Sequence, residues 1–166
     1  MNLKLSKALA TAFLEGDERA IGEIYSKYRK FLYFIISNYL SSTSDIEDVY
    51  QEVFLSILSR KIEIKDPQKL HYYLCQMAKN EAINKAKSLQ RRSGDEFDEE
   101  TGGETELENL AELLPYDLTN EERAVLGYRL CFGLSYNDIS YLTGDPISTL
   151  KARYARAIKK TKEVLK

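Results

Sequence analysis

Apolar residues recur at steps of three and four along almost the whole chain, and that spacing fixes the class of fold before anything else is counted. Ile21, Ile24, Tyr25, Tyr28, Phe31, Leu32, Ile35 and Tyr39 paint one helical stripe. Ile46, Val49, Tyr50, Val53 and Ile57 paint a second, and no strand alternation competes with either. Ser44 followed by Glu47 reads as a capping box that opens the second helix. Asp66-Pro67 restarts the chain, because Asp accepts from free amide groups and Pro fits the first helical position. The third helix is expected through Leu70, Leu74 and Met77 to about Lys87.

Thr119 and Glu122 form another capping box, with Val125, Leu126 and Leu130 in a helix that Gly133 can stop. Ser135 then caps a short helix containing Ile139 and Leu142, Thr143-Gly144 turns, and Asp145-Pro146 opens a last helix. Its stripe is Ile147, Leu150, Tyr154, Ile158, Thr161 and Leu165. Helix, glycine-containing turn and helix is the helix-turn-helix arrangement. The expected fold is all-α: two small helical domains joined by a flexible acidic linker, the C-terminal one a helix-turn-helix.

Charge divides the chain in the same places. The net charge of -2 over 166 residues conceals three blocks. Residues 1–92 carry 15 Lys/Arg against 11 Asp/Glu, residues 93–117 carry none against 10, and residues 118–166 carry 9 against 5. Two mildly basic domains flank an acidic linker whose periodicity is lost, a pattern that fits nucleic-acid contact. Ordinary solvated faces would have the same balance.

With 43% hydrophobic and 30% charged residues the chain can bury a core and stay soluble, so wholesale disorder is excluded. The apolar clusters are too short for a membrane span, and no membrane insertion is expected. Cys75 and Cys131 lie far apart without metal spacing and His71 is the sole histidine, which argues against zinc and a disulfide framework and fits a reducing cytoplasm. There is no Gly-rich phosphate loop and no evident Ser or Cys partner for His71, so no catalytic residue, metal or cofactor is expected.

Three constellations remain. On the second helix Asp48, Gln51, Glu52 and Leu55 share the face opposite the apolar stripe, with Phe54 at its edge. Acids around an exposed apolar residue suit a basic protein partner, although a solvated face with a stray leucine would look alike. The third helix and its approach offer Lys65, Lys69, Tyr72, Gln76, Lys79, Asn80, Asn84 and Lys87, the mixture of cation, amide and aromatic that tracks single-stranded nucleic acid. The last 16 residues hold seven Lys/Arg and one acid, and Ser148, Thr149, Lys151, Arg153 and Arg156 lie off the stripe, where they can reach bases and phosphates. A basic C-terminal helix also suits its own dipole.

In this order the constellations resemble a small sigma factor of the sigma-70 family, of the extracytoplasmic-function (ECF) type. GDERAIGEIYSKYRKFLY (16–33) looks like the start of that family's second region, and SDIEDVYQEVFLSIL (44–58) looks like its D-x-x-Q-E-x-F segment, with Asp48, Gln51, Glu52 and Phe54 matching. LHYYLCQMAKNEAINKAKS (70–88) resembles the segment that opens and reads the minus-ten promoter element. Residues 118–160 resemble the fourth region, which reads the minus-thirty-five element, through Gly133-Leu134-Ser135-Tyr136 and Thr149-Leu150-Lys151-Ala152-Arg153. Asp145-Pro146 stands where the family has an apolar-Ser pair, Cys75-Gln76-Met77 where it often has basic or aliphatic residues, and tryptophan is absent.

The resemblance implies a dissociable subunit, not itself an enzyme, that binds core RNA polymerase through the Asp48–Leu55 face and promoter DNA through the other two. An anti-sigma factor is a further implied partner. It also implies that the acidic linker threads the polymerase's nucleic-acid channel as a phosphate mimic, where composition alone favours a spacer. A stand-alone helix-turn-helix regulator, and an interaction protein that has kept the shape without directing initiation, are the alternatives.

Overall fold

The computed structural model describes residues 5–60, 64–93, 115 and 117–164. Among them the chain is all-α, with seven α-helices: α1 Lys7–Leu14, α2 Glu18–Ser37, α3 Thr43–Arg60, α4 Leu70–Ser93, α5 Asn120–Leu126, α6 Tyr136–Thr143 and α7 Ile147–Val164. They belong to two compact units, one within residues 3–102 and the other within residues 103–166. Most of the acidic linker, including the acids of the proposed phosphate mimic, lies outside the described residues.

Helices α1 to α4 make the first unit. The sequence reading assigns no element before Ile21, yet α1 has its own start and stop. Ser6 Oγ accepts from Leu9 N–H at 3.1 Å, and Gly16 takes the positive φ that ends the turn. Ala10 and Phe13 pin α1 to the core, and Asp17 caps α2 by accepting from Ala20 N–H at 2.8 Å. Helix α2 is buried on all sides from Phe31 to Ile36, which makes it the unit's central element, while Tyr39 beyond its end is exposed.

The cap of α3 is Ser42, not Ser44: Ser42 Oγ accepts from Asp45 N–H and its carbonyl from Ile46 N–H. Ser44 is exposed one residue inside the helix, and Glu47 bonds Arg29 at 3.0 Å instead of closing a box. Asp66 and Pro67 open a 3₁₀ turn, Pro67–Lys69, that leads into α4, and α4 runs to Ser93, past the expected Lys87.

The second unit holds α5 to α7. The expected capping box of Thr119 with Glu122 is present, and Ser135, expected as a simple cap, closes a second box with Asp138. Helix α5 runs on into a π-helical turn, Gly127–Cys131, closed by Phe132 N–H donating to Gly127 O at 3.3 Å. The extra residue in that turn rotates Leu130 off the buried face, and it is 61% exposed instead of lying in the stripe. Gly144, at φ +78°, ends α6. Leu118, Leu126 and Ala157 form the core with Tyr154 and Ile158 against them, while Leu150, Ile139 and Leu142 are also buried. Ile147, expected in the last stripe, is exposed in the first turn of α7, and Leu165 lies outside the described residues.

Candidate functional site

The exposed face of α3 is built by exclusion. Ile46, Val49, Tyr50, Val53, Phe54 and Ile57 are buried, so the positions between them face water. Asp48, Gln51, Glu52 and Leu55 all lie on that outer face, and Leu55 is 61% exposed. Leu58, one turn on, extends the apolar centre and was absent from the sequence reading. Phe54 does not belong there. Its ring centroid lies 4.9 Å from Tyr25, 5.3 Å from Tyr50 and 6.2 Å from Phe13, so it is a core residue that holds α3 on α1 and α2. The edge position suggested by a helical wheel is closed by α1, the helix the sequence reading lacked.

Around this face the charges are fixed. Glu52 Oε1 accepts from the buried Ser56 hydroxyl at 3.1 Å. Lys85 of α4 lies 3.3 Å from Asp45 and 4.0 Å from Asp48, so one lysine ties two acids of α3 to α4. Arg29 packs its guanidinium over the Tyr33 ring and bonds Glu47, which links α2 to α3 beside this face.

Helix α4 buries Leu70, Leu74, Cys75, Ala78 and Ala82. Its opposite side carries Tyr73, Asn80, Asn84, Lys87 and Arg91, separated by steps of three, four and seven. Lys65 and Lys69 are exposed on the approach, while Gln76 and Lys79 are half-buried at the edge. Tyr72 is half-buried with its ring 5.1 Å from His71, which in turn stacks on Phe31. The outward aromatic is therefore Tyr73, 38% exposed and in line with Asn80. The seven-residue step from Tyr73 to Asn80 was the available signal. Cys75 sits in the core, its thiol pushed up by burial and its Sγ 3.9 Å from His71 Nδ1.

On α7, Ser148, Lys151 and Arg156 are exposed and Thr149 is half-buried. Arg153 lies at the edge beside Leu150 and pairs with Asp145, at 22% side-chain exposure. Arg156 bonds Glu122 at 3.3 Å while remaining outward, and Lys160 bonds the same carboxylate at 2.9 Å. Lys160, Thr119 N–H and Arg156 hold the Glu122 carboxyl below the usual range, against the opposing effect of its burial. Lys151 and Arg129 both stand over the Tyr136 ring. Among the described residues no group of His, Cys, Asp and Glu could hold a metal ion, and no helix is long and apolar enough to cross a membrane.

Residues 24–92 match the family model Sigma-70 region 2. Two curated relatives align over nearly their whole length. The chain is 25% identical over 171 aligned positions to the ECF RNA polymerase sigma-E factor of Haemophilus influenzae, covering 91% of this chain and 90% of that one. It is 23% identical to the ECF RNA polymerase sigma factor SigC of Mycobacterium tuberculosis, covering 90% and 85%. Residues 24–92 carry a Sigma-70 region 2, and over its length the chain is similar to sigma factors of the extracytoplasmic-function type.

The fold agrees. The solved structure of CnrH in complex with the cytosolic domain of CnrY superposes with a TM-score of 0.67 at 17% identity, over 99% of this chain and 97% of that one. The region 2 match takes in both the α3 and the α4 faces, so the acidic–apolar surface and the Tyr73–Asn80 line lie within one matched region. The α7 surface lies beyond that match.

Proposed function

We propose that this sigma factor acts in the cytoplasm by binding core RNA polymerase through Asp48, Gln51, Glu52 and Leu55 of α3. In this reading residues 1–92 form the polymerase- and minus-ten-binding domain, 93–117 the acidic linker, and 118–166 the minus-thirty-five-binding domain. The observation that carries it is Leu55, exposed on a face otherwise made of Asp48, Gln51 and Glu52. Burial of the leucine supplies affinity and the carboxylates supply register against a basic partner. The names of the relatives, each an RNA polymerase sigma factor, support the same partner.

The α4 face then meets the minus-ten element. Tyr73 offers a stacking surface, Asn80 and Asn84 offer amide edges, and Lys65, Lys69, Lys87 and Arg91 offer charge to the opened strand. Gln76, Lys79 and Tyr72 line its half-buried border. Helix α7 meets the minus-thirty-five element through Ser148, Thr149, Lys151 and Arg156, with Arg153 at the edge. No chemical step falls to the chain itself. A protein inhibitor of the anti-sigma kind belongs to the same proposal, since CnrH, of like fold, is held in complex with the cytosolic domain of CnrY.

The test is charge reversal. Asp48→Lys with Glu52→Lys places like charges at the interface, which costs several kcal/mol, so co-purification with core polymerase and promoter-dependent run-off transcription should both be lost while helical content stays. Unchanged polymerase binding would remove the α3 face. Binding of promoter DNA with no effect of core polymerase on transcription would favour the stand-alone regulator.

A further inference from the structure

Asp145 sits between the two helices of the helix-turn-helix, and its backbone and side chain have separate tasks. The backbone holds the turn: Asp145 N–H donates to Thr143 Oγ1 at 3.2 Å, and Ser140 Oγ donates to the Asp145 carbonyl at 2.7 Å. Leu150 N–H donates to Pro146 O at 3.1 Å in the first turn of α7, a bond in which the Asp145 carboxylate takes no part. That carboxylate instead accepts from Arg153 Nη1, two turns along α7.

An arginine has five N–H donors in a planar fork. One contact at Nη1 leaves the Nε–Nη2 edge, which has the spacing to meet guanine O6 and N7 together. A carboxylate beside the fork also repels phosphate and lowers the freedom the side chain must lose on binding. We propose that Asp145 is a specificity-determining residue of this sigma factor: it reserves the Arg153 guanidinium for a guanine edge and withholds it from the phosphate backbone. This rests on the reading of α7 as a DNA-facing helix.

The experiment uses the full chain and a pool of random-sequence duplexes about 30 base pairs long, with affinity followed against salt and bound sequences recovered and read. Asp145→Asn keeps the backbone bonds of the turn and releases Arg153. It should bind the unselected pool several-fold more tightly, with a salt slope steeper by about 0.9, as for one added phosphate contact. Its preference for one G·C pair should fall about tenfold. Arg153→Gln breaks the same pair from the other side. It should lose that preference without gaining pool affinity or slope.

A carboxylate that merely stabilises the fold would make the two variants alike, both weaker and both with unchanged slopes, and that result overturns the proposal. So does an unchanged sequence preference in Asp145→Asn. Failure of the unaltered chain to bind any duplex would overturn the DNA-facing reading of α7 along with it. Firm binding with identical behaviour of the two variants strikes only the role given to Asp145.

Discussion

Three donors converge on the Glu122 carboxylate, from Thr119, Arg156 and Lys160, and the residue is buried to 3% exposure. Glu122→Ala removes half of a capping box and leaves Lys160 without its anion, a loss of about 3 kcal/mol from the C-terminal unit, to be measured by urea unfolding. Because the folded carboxyl is held below the range of an unfolded glutamate, its contribution is complete above that range. It fades as pH falls from there through the folded value, so the unfolding midpoint of this unit should drop on acidification in the unaltered chain and change less in Glu122→Ala. The box itself was legible, because its two residues are three apart. The cations were not, since they come from 34 and 38 positions away. The same holds for Phe54 and Arg153, whose roles depend on partners that local spacing does not reveal.

Helical faces are legible to the extent that each helix packs on one side only. On α3 the outer face follows from the apolar stripe apart from its edge, whereas α4 begins with two adjacent tyrosines, of which only the seven-residue step to Asn80 favours Tyr73. Packing ranks them: Tyr72 turns toward His71 and Tyr73 outward. Tyr73→Ala should therefore impair initiation on a duplex promoter more than on a template already melted, since the stacking lost is worth about 1–3 kcal/mol per base. Tyr72→Ala should lower thermal stability instead. Equal initiation defects of the two variants would return Tyr72 to the DNA face. Helix α1 and the π-helical turn escaped the sequence reading for different reasons. The first is short and, unlike α5 and α6, opens without an acid three residues after its cap, and the second keeps a helical composition while adding one residue to its ring. At the end of α6, Gly144→Ala meets no neighbour but places a Cβ in the left-handed region, at a cost of about 1 kcal/mol to the C-terminal unit.

For the whole molecule, the class of fold was written in the three-and-four spacing, and the membership of each helix in a unit followed the charge blocks closely. Each unit buries its own core, so urea should unfold the full chain in two transitions, the smaller C-terminal unit first. Glu122→Ala and Gly144→Ala should move only that transition, and a fragment of residues 1–102 should keep the second. One cooperative transition for all variants would refute the independence of the units. The turn between α6 and α7 has a bearing on how such proteins diverge. At position 145 the main chain secures the turn while the side chain points to a neighbour on α7, so heredity can alter that side chain and leave the architecture standing. A lineage could then acquire a new set of target genes through a single codon, with no interval in which the protein fails to fold.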